Sequence, residues 1–501
     1  MSEHVDVLIV GAGLSGIGAA VHLTMQCPNR TFAILEGRPT LGGTWDLFRY
    51  PGIRSDSDMF TLGYRFRPWT DAKAIADGPS ILRYLRETAA EYGIDRKIRF
   101  NRQVRSASWS SADARWTVTV ERRDTGDTET VTCGYLLMAV GYYSYRGGHL
   151  PSFPGQERFL GQVVHPQEWP VDLDHTGKRI VVIGSGATAV TLVPALAKTA
   201  AHVTMLQRSP SYLWAIPDRD RVADLARALL PGPVAYRLIR WKNIGLQLLL
   251  YRRSRKSPER MTKWFIGQVR DALGADYDVE RHFTPRYAPW DQRLCIVPNG
   301  DLFEAIRSGR ASVVTDTIRT WDEGGIELES GQRLDADLIV TATGLELVVG
   351  GEIRFEVDGR PVDFAKTWTY RGAAYSGVPN LVSIFGYINA SWTLRADLIS
   401  EYVCRLLNRM ERTGATICVP ELRDGDRTMA PRPFIENFSS GYLQRIIDRL
   451  PRQGDWDPWL NPQDYRKEQR LFSAPVDDGV MQFRVAVGSG AKSVTAPGGR
   501  K

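Results

Sequence analysis

Gly11, Gly13 and Gly16 form a GxGxxG loop directly after the apolar run Val7–Val10. That spacing suits a dinucleotide. The first glycine permits a tight turn, the second lets backbone approach a pyrophosphate, and the third lets a helix pack closely on a strand. The phosphates then lie at a helix N-terminus, where backbone N–H groups are free. Glu36, twenty residues past Gly16, stands where a carboxylate accepts from a ribose 2′-hydroxyl. The pattern returns as GxGxxA at Gly184, Gly186 and Ala189, with Thr188 inside it. Here the chain reads Gln207-Arg208-Ser209 where the first unit has its acid. A guanidinium and a hydroxyl suit a 2′-phosphate that a carboxylate would repel; alone, Arg208 could also simply face solvent. The simplest assignment gives FAD to the first unit and NADP(H) to the second. Hydride then passes from nicotinamide to flavin, and on to oxygen or another acceptor.

These loops need strands and helices to hold them. Val7–Val10, a helix from about Leu14 to Gln26 and Thr31–Leu35 supply the first set. Arg179–Ile183, a helix to about Lys198 and His202–Leu206 supply the second. Tyr135–Gly141 (YLLMAVG) and Asp337–Gly344 (DLIVTATG) read as strands running into glycine turns, at the points where the chain changes domain. The expected class is α/β, with two Rossmann-like dinucleotide-binding domains and a helical insertion in the NADP domain. The expected division is an FAD-binding part at 1–148, a linker and NADP-binding part at 149–212 and the insertion at 213–285. The NADP domain then resumes at 286–368, and the FAD domain at 369–501 together with a C-terminal tail. The insertion's apolar-faced helices carry Arg237, Arg240, Lys242, Arg252, Arg253, Arg255 and Lys256. It reads as a lid with a solvated charged face, and it also admits peripheral contact with an anionic membrane. The segment NASWTLRADLISEYVCRLLNRM reads as a long helix packed on the first sheet, and residues after Phe483 are expected to be only partly ordered.

Composition narrows the class. At 501 residues with 43% apolar content, two or three soluble domains are expected. A net charge of +7 on so long a chain favours anionic ligands such as dinucleotides without calling for nucleic acid. Cys27, Cys133, Cys295, Cys404 and Cys418 are scattered, with no metal-ligand spacing and no CxxC or CxxxxC redox pair. They suit a reducing, cytoplasmic setting, no metal site is expected, and a disulfide reductase is disfavoured. The N-terminus lacks signal-peptide character, and no window nears about 18 uninterrupted apolar residues.

Two further groups of residues select among flavin chemistries. Gly42, Gly43, Thr44 and Trp45 precede Tyr50-Pro51-Gly52 and Asp56; FLGQVVHPQEWP sets Phe159, Gly161, His165, Trp169 and Pro170 at fixed intervals. The second group matches FxGxxxHxxxW followed by Pro or Asp at every position, and in this the chain resembles the type I Baeyer–Villiger monooxygenases, within the class B flavoprotein monooxygenases. FRYPGIRSDSDMFTLGYRFRPW and HFTPRYAPWDQRLC resemble their ethionamide-activating branch. Flavin-containing monooxygenases commonly carry tyrosine where Trp169 stands.

The resemblance implies that NADPH reduces FAD, and that oxygen adds at flavin C4a as a peroxide. A tetrahedral peroxy adduct of a ketone then rearranges to an ester or lactone. The same flavin chemistry would serve sulfides, thioamides or amines. Arg293 is implied as the catalytic cation and Asp56 as its holder. Gly43 and Trp45 are implied beside the flavin, and the His165 segment as a moving link between domains. Asn389 and Trp392 could wall the pocket or pack in the core. The implied partners are molecular oxygen and an apolar ketone or thioether, without nucleic acid, and the oligomeric state stays open.

Overall fold

The computed structural model describes residues 3–436 and 438–486. Glu3–Val10 is the central strand of the first sheet, parallel to Phe32–Leu35 on one side and Thr128–Met138 on the other. Its side chains alternate between two cores. Val7 and Ile9 pack with the helices Leu14–Gln26 and Trp392–Thr413, while Leu8 and Val10 pack with Trp109 and Trp116. Arg102–Ser110, Arg115–Arg122 and Thr128–Met138 form an antiparallel meander, and Leu381–Ser383 returns late in the chain to lie parallel to Thr128–Met138.

The second sheet is parallel throughout, ordered Ala311–Thr315, His202–Gln207, Arg179–Ile183, Leu338–Thr341, Gln162–Val164. The helix Ala187–Leu196 follows its glycine loop. Both dinucleotide units therefore have the expected strand–helix–strand form. Gln162–Val164, inside the fingerprint segment, is an edge strand of this second sheet.

Two findings differ from expectation. Arg354–Val357 lies within the 286–368 stretch assigned to the second domain, yet it pairs parallel with Arg102–Ser110 of the first sheet. The chain thus returns before residue 369, through a short edge strand whose polar neighbours hid its alternation. The insertion, expected as a lid, also contributes no residue to the cleft wall among the described residues. Its long helix Gly232–Lys256 lies against Met59–Leu62 of the first domain. Tyr236 donates to the Tyr64 carbonyl at 2.8 Å, and Arg240 donates to the Phe60 and Gly63 carbonyls, each at 2.9 Å. Asn243 and Gln247 donate to the half-buried Asp58, whose pKa desolvation pushes up. Phe483 belongs to the strand Met481–Arg484, paired with Ile417–Pro420; the expected tail beyond residue 486 lies outside the described residues.

Two strands cross between the domains, Tyr143–Gly148 and Leu345–Leu347, and they pair antiparallel with each other. This ribbon is the junction beside which the fingerprint segment sits.

Candidate functional site

A cleft of about 920 Å³ runs between the two domains, lined by both glycine loops, by Asp56 and by Arg293. Gly11 has φ +104, and a Cβ there would stand 2.5 Å from the Ala139 carbonyl oxygen. A Cβ on Gly16 would lie 1.9 Å from the Gly11 oxygen, so close packing demands both glycines. Gly13 faces only Gly43 and caps the helix without a side-chain bond, leaving the first N–H groups of the helix for phosphate. The carboxylate of Glu36 accepts from the Ala12 N–H at 2.7 Å and the Arg38 N–H at 3.0 Å. Its burial pushes the pKa up even against these donors. Each oxygen keeps a second lone pair, which suits a ribose hydroxyl. Trp45 is half-buried in the cleft wall.

The second loop repeats the geometry. Gly184, at φ +141, would bring a Cβ within 2.4 Å of the Ala342 oxygen, while a Cβ on Gly186 would meet nothing within 4 Å. Ala189 fills the third position, fully buried, and Thr188 lines the cleft. Arg208 and Ser209 are exposed in the cleft wall, and among the described residues Arg208 has no ion-pair partner. Gln207 turns inward instead, donating to the His282 carbonyl and to Thr315 Oγ1. A free cation beside an uncapped helix N-terminus fits a 2′-phosphorylated dinucleotide.

Arg293 and Asp56, 237 positions apart, meet across the domains. Nε donates to one carboxylate oxygen at 2.9 Å and Nη2 to the other at 2.8 Å, while Nη1 donates to the Ile388 carbonyl at 3.1 Å. Burial opposes the charged guanidinium, but Asp56 outweighs it and raises the pKa further above its ordinary value. The loop before Arg293 is tied down as well. Arg255 pairs with Asp291 at 2.5 Å, and the Ser439 N–H donates to the Asp291 carbonyl at 2.6 Å.

Tyr142, Tyr143 and Tyr442 also line this end of the cleft, with the Tyr142 and Tyr143 hydroxyls 2.8 Å apart. Burial pushes all three phenols up, so they stay protonated. Trp392 stacks on Tyr142 at 5.1 Å and donates from Nε1 to Ser15 Oγ at 2.8 Å. Asn389 instead donates to the Gln463 carbonyl and lies outside the cleft wall. Behind the wall, the fully buried Arg395–Glu468 pair, at 2.7 Å, supports Gln463, which accepts from the Ile388 N–H. Sequence reasoning missed the tyrosines and this buried chain. Tyr142-Tyr143 directly follows the crossover glycine Gly141, a signal that could have found the pair; nothing local marks Tyr442 or Glu468.

None of the fingerprint residues lines the cleft. His165 Nε2 stands 3.1 Å from the Gly344 carbonyl, and Nδ1 accepts from the Gln167 N–H at 3.2 Å, so Nε2 carries the proton. A Cβ on Gly148 would fall 1.8 Å from the ring. His165 is thus wedged between both domain-crossing strands, and burial lowers its pKa. Phe159 packs edge-on against Trp321, and Gly161 leaves room for Phe159 and the Asp337 carbonyl. Trp169 packs on the second core and Pro170 is exposed. Gly52, in the Tyr50-Pro51-Gly52 turn, approaches the helix Ala187–Leu196, where a Cβ would meet Ala195 at 2.7 Å.

The profile of the flavin-binding monooxygenase-like family matches residues 71–224, and that of the NAD(P)-binding Rossmann-like domain matches residues 9–77. The FAD-containing monooxygenase EthA of Mycobacterium tuberculosis is 53% identical over 485 residues, covering 96% of this chain and 98% of its own. The putative FAD-containing monooxygenase MymA of the same organism is 50% identical over 491 residues, covering 97% and 99%. A solved steroid monooxygenase bound to NADP shares the fold, with a TM-score of 0.75 and 22% identity over 96% of this chain and 99% of that one. With both glycine loops lining one cleft and relatives matched end to end, the chain belongs to the FAD-containing monooxygenases, in the group of EthA and MymA.

Proposed function

We propose that the protein inserts one oxygen atom into apolar ketones, giving esters or lactones. The overall balance is ketone, O2, NADPH and a proton giving ester, NADP+ and water. One observation carries the reading: a guanidinium fixed on three sides within a cleft shared by both cofactor motifs. Bound FAD, reduced by NADPH, supplies the activated oxygen. The glycine loops hold the pyrophosphates, Glu36 a ribose, and Arg208 with Ser209 the 2′-phosphate. Gly43 and Trp45 border the flavin.

Arg293 has five N–H groups, of which Asp56 and Ile388 take three. The two left over can face a negatively charged oxygen and the carbonyl oxygen of a tetrahedral adduct. A cation held before the reaction begins needs no reorganisation when that charge develops. Asp56 keeps Arg293 oriented and charged, and Trp392 helps exclude water. No nucleophilic side chain is needed. Cys295, the cysteine of the cleft wall, is a buried thiol pushed up to about 12. The His165 segment acts on the junction between domains, holding it in one arrangement at a time. Five buried, unpaired cysteines suit a reducing compartment, and we assign the activity to the cytoplasm.

The Tyr142 and Tyr442 hydroxyls, which line the cleft with Arg293, favour a second reading. A hydrogen bond donated to the activated oxygen makes its outer atom an electrophile, suited to sulfur or nitrogen in thioethers, thioamides or amines. Parallel NADPH-driven assays on one ketone and one thioether of similar size separate the two. The ketone reading expects ester formation coupled to NADPH consumption; sulfoxide alone, with the ketone untouched, would replace it by the second.

A further inference from the structure

The insertion leaves one face without a partner. Val222, Leu225 and Leu229 run along the short helix Arg221–Leu229, and Leu238, Trp241 and Leu249 along the long helix Gly232–Lys256. Spacings of three and four residues, and a repeat after eleven, put each set on one stripe of its helix. The two helices pack side by side, and all six residues are exposed; Leu229 is 72% exposed and Trp241 is 70% exposed. Their opposite faces are fastened inward through Ala223, Tyr236, Arg240 and Asn243, so the apolar stripes cannot turn into the core. Two neighbouring exposed apolar stripes of this kind mark an interaction site.

Charge indicates what covers it. From Arg221 to Lys256 the only acid is Asp224, paired with Arg227. Arg240, Lys242, Arg252 and Arg255 are paired with Asp397, Asp220, Asp464 and Asp291. Arg221, Arg237, Arg253 and Lys256 are exposed and, among the described residues, form no ion pair. Apolar stripes that include a bulky tryptophan, flanked by free cations, match the boundary between lipid headgroups and acyl chains of an anionic bilayer. A second copy of the chain is a poor match, because a two-fold contact would bring these cations against each other. No helix among the described residues is long and apolar enough to cross a membrane. We propose that this helical pair docks the enzyme flat on an anionic membrane surface, with Trp241 and the leucines entering the interface and the free cations meeting lipid phosphates.

The test is flotation of the full-length, FAD-loaded protein with phosphatidylcholine vesicles and with vesicles of equal parts phosphatidylcholine and phosphatidylglycerol. Binding is expected to the anionic vesicles and to fall as salt is raised. The double variant Leu238→Ser, Trp241→Ser should weaken it at least about tenfold. Arg237→Ser with Arg253→Ser should weaken it about fivefold per charge removed. Because the side chains are exposed, all variants should keep their flavin absorbance and thermal midpoint. Equal partition of the wild type and both double variants would overturn the proposal. So would absence of flotation together with self-association, seen by sedimentation velocity, that the Leu238/Trp241 variant abolishes; the face would then belong to a second copy.

Discussion

Arg293 and Arg208 are two cations in one cleft with opposite situations, one locked to Asp56 and one unpaired. Substituting each should separate chemistry from cofactor choice. Arg293→Ala should retain FAD and NADPH oxidation yet lower product formation by about 10²–10³, the usual cost of losing one preorganised charge donor; product per NADPH consumed is the readout. Arg208→Ala should weaken NADPH about tenfold to a hundredfold, the worth of a charged hydrogen bond, while NADH changes little. Equal loss for both nucleotides would remove Arg208 from the 2′-phosphate. Glu468→Gln should lower stability by about 3 kcal/mol, because it leaves Arg395 as an unpaired buried cation. An unchanged urea midpoint would mean the pair does not brace the Ile388 turn. At this scale the sequence is uneven to read. The roles proposed for the glycine loops and Arg208 rest on close spacing along the chain, so they are legible. Tyr442 and Glu468 act through contacts made only after distant segments fold together.

The fingerprint segment makes sense as an element rather than as separate residues. Its strand Gln162–Val164 is the edge of the second sheet, and His165 leaves that edge to sit under the ribbon that joins the domains. The folded ring binds a proton less readily than an unfolded one, whose ordinary value is near 6.5. As pH falls through 6.5, the unfolded chain therefore gains a proton that the folded chain refuses. This contribution to stability is lost on acidification until pH passes the lower folded value. Urea midpoints from about pH 7.5 to about pH 5.5 should drop less steeply for His165→Gln than for the wild type. Parallel curves would show that His165 does not titrate against the junction. Helices and central strands were legible because long apolar periodicities announce them. Arg354–Val357 was not, since four residues at a sheet edge carry too little pattern to reveal which sheet they join. The insertion was read correctly as helical but not in its seat. Its hold on the first domain runs through buried polar groups, Arg240 and Asn243, that look like surface residues in a sequence.

Across the whole molecule, function depends on two domains sharing one cleft. Asp56 comes from the first and Arg293 from the second, and the Tyr50-Pro51-Gly52 turn packs on the second domain's helix. The two domains need not be fused to bind their dinucleotides. On the proposed mechanism they must be brought together to set a fixed cation between the two glycine loops, and the ribbon, His165 and the braced Arg293 loop lie at that junction. The most direct test supplies the purified enzyme with NADPH, an apolar ketone and ¹⁸O₂, and follows the product by mass spectrometry. The account predicts one labelled oxygen in the ester, in proportion to NADPH consumed, and its disappearance in Arg293→Ala. Unlabelled ketone recovered beside labelled hydrogen peroxide, with wild type and variant alike, would contradict it.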